Sequence, residues 1–239
     1  MQMSSKRALL EFLRHQSVRT VLDAPSGDGW LLQALSKGAV LDGVDLYAQP
    51  IPGYRHLWKH DLDEGLPADS DTYDLICCCE GLEHVGNPLA LLTSFHRHLT
   101  EAGLLIVTTP NVWYPQARLQ YWLRGFFPSF PPLPAKIIRG THLHIMPWSF
   151  PQLYVFFRLA GFTVPQIISE PMSQPKYFHE RVLALPARLY CRSKLNRSAS
   201  EEERQFWKAA GSPESLLGRH LMVVGRKQPT APAHPPANL

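Results

Sequence analysis

Cysteine is scarce in this 239-residue sequence, which holds four, and three of them, Cys77, Cys78 and Cys79, are consecutive. Consecutive side chains of a strand point to opposite faces, so the triplet does not converge on one metal ion and reads as small core residues in a reducing cytoplasm. Long apolar runs are missing too. Nothing approaches the roughly 18–20 residues of a spanning helix, and Glu11, Arg14 and His15 interrupt the apolar stretch near the N-terminus. The expectation is a soluble, cytoplasmic chain without a signal peptide. Charge of one sign is not concentrated: 24 Lys and Arg face 20 Asp and Glu, and the basic residues are scattered. That argues against sequence-specific nucleic-acid binding. No internal repeat is visible.

What the chain does have is a hydrophobic fraction of 45%, ample for one α/β core at this length. Apolar, β-rich runs recur at residues 19–22, 39–44, 73–79 and 104–109, with helical patterns between them at 30–36 and 88–99. Strands alternating with helices predict βαβ units and a parallel sheet covered on both faces. After Pro110 the rhythm gives way to aromatic, Pro-rich sequence, followed by a helix over 149–160, a strand near 162–168 and a last strand over 220–225. These boundaries predict a single domain over residues 1–225, with insertions at 112–140 and 169–219 and a disordered Pro-rich tail over 226–239.

The segment "RTVLDAPSGDGWLLQAL" reads as a strand, a tight turn with Gly27 and Gly29, and a helix from Trp30. Glycines let backbone approach a ligand, and the helix start offers free N–H groups. A second strand ends at Asp45, twenty-two residues after Asp23, where a carboxylate can accept both hydroxyls of a ribose. Leu32 stands where a nicotinamide-binding G-x-G-x-x-G turn would have its third glycine. A dehydrogenase is therefore rejected.

With these motifs the chain resembles the class I S-adenosylmethionine-dependent methyltransferases from about Val21 to Ile168. The resemblance implies a Rossmann-like fold with a seven-stranded, mostly parallel sheet, a C-terminal antiparallel strand and helices on both faces. It also implies that Asp23, Gly27 and Gly29 line the methionine half of the cofactor, that Asp45 and Leu46 hold the ribose, and that Asp61 and Leu62 lie near the adenine. Asp63 and Glu64 read as solvated. Pro25 is a departure, because many members have glycine there.

The fourth strand ends in "CCCEGLEHV". Its E-x-x-E-H spacing would let one helical turn aim Glu80, Glu83 and His84 at a common point at the ligand-binding edge of the sheet. Two carboxylates so placed call for a cation or a proton between them. The run is similar to metal-binding E-x-x-E-H runs of ubiquinone-biosynthesis O-methyltransferases and small-RNA 2′-O-methyltransferases. That likeness implies Mg²⁺ or another divalent cation on Glu80, Glu83 and His84, with His144, or less readily His142, as a further ligand. The alternative is that Glu83 and His84 cap the helix or hydrogen-bond nearby backbone. Glu80, His84 and His144 are the catalytic candidates, since an alcohol acceptor needs a general base or a metal to lower its pKa.

The stretch 112–140 carries Trp113, Tyr114, Tyr121, Trp122, Phe126, Phe127 and Phe130 with Arg118, Arg124, Lys136 and Arg139. It reads as the acceptor region, suited to an apolar or glycan-stacking pocket or to a membrane surface, or else as a satellite core over the sheet. Its sequence resembles methyltransferases of polysaccharide and lipid-linked glycan biosynthesis, which makes a small molecule, a glycan or a lipid-linked molecule the expected acceptor. Two segments are also similar to the methionine-biosynthesis W proteins. On that reading the chain partners a homoserine acyltransferase, although "EGLEHV" departs from that family.

Overall fold

The computed structural model describes residues 3–33, 35, 38–128, 138, 144–169, 175 and 177–228. Its centre is a seven-stranded sheet in the order β3-β2-β1-β4-β5-β7-β6. β1 (Thr20–Asp23), β2 (Val40–Asp45), β3 (Leu57–Lys59), β4 (Tyr73–Cys79) and β5 (Leu99–Pro110) run parallel. β7 (His220–Arg226) lies antiparallel between β5 and β6 (Gln166–Ile167).

The strands bury both faces, and the two-residue period of their side chains divides the core in two. Leu22, Ile76, Cys78, Leu105 and Val107 face one layer, where they meet α2 (Pro88–Arg97) through Leu91 and Phe95 and α4 (Phe150–Leu159) through Phe150 and Phe157. Val21, Leu75, Cys77, Cys79 and Ile106 face the other, against Leu9 and Leu13 of α1 (Met3–Arg14). All three strand cysteines are buried, on alternating sides, as the sequence predicts. Asn87 caps α2 by accepting the Ala90 N–H, and Pro88 opens the helix where a missing N–H does no harm.

Several elements differ from expectation. The helix expected from Trp30 is only a 3₁₀ turn over Trp30–Gln33 among the described residues of that stretch. The strand expected over 162–168 contracts to two residues, with Phe162 forming a separate bridge to Lys227. α1 is not among the predicted elements, because a short amphipathic helix before the first strand has no partner visible in sequence. The stretch 112–128 contains a helix, α3 (Pro115–Arg124), and the later connection folds into α5 (Phe178–Asn196), α6 (Glu201–Ala210) and α7 (Pro213–Leu217). The tail begins later than residue 226: Arg226 ends β7, and Lys227 bonds the carbonyls of Gly103 and Leu99. Residues 229–239 of the expected disordered tail lie outside the described residues.

Candidate active site

The strand order reverses between β1 and β4, and the carboxyl ends of these neighbours open the crevice where such sheets bind ligands. The turn after β1 supplies Gly27 and Gly29, both with positive φ (51° and 74°). A side chain at Gly29 would press on Ile51 at 2.9 Å, whereas the equivalent position at Gly27 meets nothing within 4 Å. The turn therefore presents bare backbone to open space. Asp45, at the end of β2, grips this turn: its Oδ2 accepts the Gly27 N–H at 3.0 Å and its Oδ1 the Tyr47 N–H at 2.8 Å. Asp45, Leu46, Asp61, Leu62, Gly81 and His84 line a cleft of about 180 Å³.

Asp23 is fully buried beneath the turn. The Tyr54 hydroxyl donates to its Oδ2 at 2.8 Å, while Oδ1 has no hydrogen-bond partner. Burial pushes its carboxyl well above the ordinary range, Tyr54 opposes this, and the charges of Asp28 and Asp45 add to it. The unsatisfied Oδ1 would accept from a donor placed beside the turn, although Asp23 itself is fully buried and does not line the cleft. The cleft presents the carboxylates of Asp45 and Asp61, acceptors of the kind that ribose hydroxyls require.

Asp61 caps the 3₁₀ turn Leu62–Glu64 by accepting the Asp63 N–H. Asp63 corrects the sequence reading: it is not free in solvent, because its Oδ1 accepts the N–H groups of Gly86 at 2.6 Å and Asn87 at 3.0 Å. It thereby ties the turn after β3 to the start of α2. Glu64 is exposed, as expected.

Beyond β4 the chain turns sharply. Glu80 has φ 55°, unusual for a side-chain-bearing residue, and its N–H donates to the Thr108 carbonyl of β5. This conformation sends its carboxylate toward β5 and β7, where Oε1 accepts from Thr108 Oγ1 at 3.2 Å and meets His220 Nδ1 at 3.3 Å. Burial alone would raise the Glu80 carboxyl, but His220 and Thr108 hold it below its ordinary value. Glu80 therefore lines the cleft with His84, as expected of its place after β4, but it is not gathered with Glu83 and His84 by one helical turn. The backbone reverses at Glu80 before the 3₁₀ turn Leu82–His84 begins.

Glu83, His84 and His144 do converge, each offering a ligand atom within 4.8 Å of the others. The convergence is built by backbone: the Glu83 carbonyl accepts the N–H groups of Ile145 at 2.7 Å and Met146 at 3.1 Å, which brings the preceding His144 against His84 with ring centroids 5.0 Å apart. Glu83 is 1% exposed; Thr109 Oγ1 donates to its Oε2 at 2.9 Å, and Oε1 has no hydrogen-bond partner. Burial first, and the Glu80 charge second, push its carboxyl up to about 8. Burial and the neighbouring His84 hold the His144 imidazole below its usual value. Tetrahedral ligands about 2.1 Å from a shared ion stand about 3.4 Å apart, so ligand atoms separated by as much as 4.8 Å would have to close by about 1.4 Å to hold one. His142, the less favoured candidate, lies outside the described residues.

Thr108, Thr109 and His220 were missed in the sequence. The threonines end a strand that reads as core, and His220 comes from a strand more than a hundred residues downstream. Only the antiparallel insertion of β7 beside β5 makes them neighbours.

In the acceptor region Trp113, Tyr121, Trp122 and Phe126 are exposed, so they form no satellite core. The region is fastened by Asn111, whose amide donates to the carbonyls of Ser215 and Gly218, and by Arg219, which stacks on Tyr114 and donates to buried Glu180 at 2.6 Å. Phe130, Lys136 and Arg139 lie outside the described residues.

Comparison with known proteins places this geometry among relatives. The ubiquinone biosynthesis O-methyltransferase of Pseudomonas syringae pv. tomato is 29% identical over 107 residues, covering 39% of this chain and 45% of that protein. The chain thus matches about half the length of this curated relative. A methyltransferase from Archaeoglobus fulgidus, described as S-adenosylmethionine-dependent, superimposes with a TM-score of 0.55 at 15% identity, over 93% of this chain and 94% of the other. The 1,6-didemethyltoxoflavin-N1-methyltransferase of Burkholderia thailandensis, solved with bound S-adenosylhomocysteine, gives 0.51 at 17% identity, over 95% and 78%. Residues 2–167 match the family model described as a methyltransferase domain, and the chain belongs to that family, built on the class I S-adenosylmethionine-dependent methyltransferase fold.

Proposed function

We propose that the protein transfers the methyl group of S-adenosylmethionine to a hydroxyl oxygen of a small or lipid-linked acceptor. The observation that carries this reading is the layout of one cleft: Pro25 of the glycine turn, Asp45 and Asp61 stand along it, and His84 closes it beside Glu83 and His144. The likeness to the ubiquinone-biosynthesis enzyme over less than half of either chain favours oxygen as the acceptor atom.

The cofactor, when bound, supplies a methyl carbon activated by its sulfonium charge. The chain's own task is to align three atoms and to manage one proton. Asp23 and the bare turn at Gly27 hold the amino-acid end, Asp45 orients the ribose, and Asp61 with Leu62 receives the base. At the far end His84 or His144 takes the acceptor proton, and the lowered His144 keeps a neutral imidazole available near neutral pH.

A divalent cation held by Glu83, His84 and His144 is the second version of this site, favoured by the unsatisfied Glu83 Oε1. It would supply Lewis-acid chemistry that lowers the acceptor's pKa. Two imidazoles and one carboxylate suit Zn²⁺, Mn²⁺ or Fe²⁺ better than Mg²⁺, which prefers oxygen ligands.

Calorimetry with S-adenosylmethionine, followed by radiolabelled methyl transfer to phenolic, glycosyl and polyprenyl-linked hydroxyl acceptors, tests the proposal. Cofactor binding with label in an alkali-stable ether on one class is expected. Absence of binding at millimolar cofactor, or label on nitrogen alone, would refute it.

A further inference from the structure

Helices α3 and α5 each carry an apolar stripe that faces away from the core. α5 buries Glu180, Ala184 and Cys191, yet Phe178, Val182, Leu185 and Leu189 are 81, 53, 48 and 63% exposed. Their spacing of four, three and four residues puts them on one helical face, opposite the buried one. Leu119, Trp122 and Leu123 of α3, with Phe126 just beyond its end, repeat the pattern, and Trp122 is 79% exposed. The helices are neighbours, since Arg118 of α3 reaches the Leu183 carbonyl of α5 at 3.4 Å. Grouped apolar surface of this kind marks a docking face.

Charge identifies the occupant. Arg181, Arg188 and Arg192, spaced by seven and four residues, follow one flank of the α5 stripe, and Arg118 and Arg124 belong to α3. The single carboxylate in the two helices is Glu180, fully buried and paired with Arg219 at 2.6 Å. Every formal charge that these helices expose is therefore positive. A second copy of the chain meeting this face by two-fold symmetry would set arginines against arginines. A nucleic acid would pair with the arginines and leave the aliphatic Val182, Leu185 and Leu189 in water.

We propose that α3 and α5 dock the protein on the surface of an anionic lipid bilayer, with the arginines at the headgroups and the two apolar stripes sunk between them. At 19 residues α5 extends about 28 Å, and its interrupting arginines make it lie in the interface. No described helix is long and apolar enough to cross a membrane. Docking is read without turnover, so this proposal and the methyl-transfer reading fail separately.

Flotation of the full chain with phosphatidylcholine vesicles, and with vesicles equimolar in phosphatidylcholine and phosphatidylglycerol, tests it. Flotation is expected with the anionic vesicles only, weakening as salt rises. Arg188→Ala/Arg192→Ala should reduce the partition coefficient on the order of 25-fold, at about fivefold per arginine. Leu185→Ser/Leu189→Ser should float poorly, and brominated lipid should quench wild-type fluorescence more than that of Trp122→Phe. These side chains are exposed, so thermal melts of the variants should match wild type. Equal binding to neutral vesicles, no flotation with either, or variants that float like wild type would overturn the proposal. So would a dimer in sedimentation that Leu185→Ser/Leu189→Ser dissociates, which would assign the face to a second copy.

Discussion

The Pro25 ring occupies the space that a side chain at Gly81 would take, joining the turn after β1 to the turn after β4 at the point where the strand order reverses. A methyl group added at Gly81 would overlap Pro25 Cδ and lie 2.9 Å from Pro25 Cγ. A five-membered ring cannot swing aside as the end of a long side chain can, so one of the two turns would have to move. The proline that departs from the common glycine of this family is thus matched by an absent side chain on the opposite wall of the cleft.

The pair should behave as a unit. Gly81→Ala is expected to lower the unfolding free energy by about 1–3 kcal/mol through overpacking, and to weaken cofactor binding because both turns line the cleft. Adding Pro25→Gly removes the ring and should restore much of the loss. Urea unfolding of both single variants and the double variant gives the coupling, expected to exceed about 0.5 kcal/mol. Strict additivity would show that the contact does not matter.

Asp45 is already engaged with the Gly27 and Tyr47 N–H groups, so it clamps the glycine turn, and on the proposed reading it also accepts from the ribose. Asp45→Ala should lose charge-assisted bonds worth about 1.5–3 kcal/mol, which is roughly a 10- to 150-fold loss of cofactor affinity. Asp45→Asn keeps an acceptor oxygen and should fall between. Calorimetry that finds wild-type affinity in Asp45→Ala would remove Asp45 from the site.

Much of this was legible in the sequence because it depends on local pattern. The run at 73–79 alternates its contacts between two core layers, and the glycine turn with its acid at Asp45 follows from spacing alone. His144 could be nominated from its place before α4, and backbone bonds from Ile145 and Met146 to Glu83 deliver it. The failures share a cause. Glu80 was grouped with Glu83 by helical spacing, but its positive φ breaks that periodicity before the turn begins. His220, Thr108 and Thr109 needed knowledge of which strand lies beside β5, and residue spacing carries no such information. Asp63 looked solvated because its partners, the N–H groups of Gly86 and Asn87, are backbone groups of a distant turn.

Acid stability should depend on Asp42. This fully buried carboxylate of β2 accepts from Arg55 Nε at 3.0 Å, the Tyr73 hydroxyl at 3.0 Å and the His56 N–H at 3.1 Å. Burial would raise its pKa, but Arg55 and Tyr73 together hold it below the ordinary carboxylate value. A depressed folded pKa contributes stability that is complete above the unfolded value of about 3.9 and disappears as pH falls through the folded one. Asp42→Asn should therefore destabilise at neutral pH, by about 3 kcal/mol, the low end for breaking a buried pair because Arg55 is 38% exposed. The gap between wild-type and variant melting temperatures should stay level from pH 8 to 5 and narrow in stronger acid. A gap that widened in acid would reverse the assignment.

The cluster of Glu83, His84 and His144 separates its two chemistries by metal binding, measured without turnover. A cation bound by these three side chains should raise the melting temperature on the order of 5–10 °C when Zn²⁺ or Mn²⁺ is supplied at a hundred times its dissociation constant, and Mg²⁺ should do less. Glu83→Gln and His144→Ala should abolish that shift. Glu80→Gln should keep it, because Glu80 is turned toward Thr108 and His220 and stands outside the cluster. In turnover, EDTA would then silence the wild type, and either ion would restore it. If no ion shifts the melt and EDTA leaves methyl transfer intact, proton removal falls to the imidazoles. In that case His84→Ala should still lower turnover about a hundredfold, the scale of a lost general base. A folded His84→Ala protein with wild-type turnover and no metal response would leave Glu83 and His84 as the structural closure of the turn after β4.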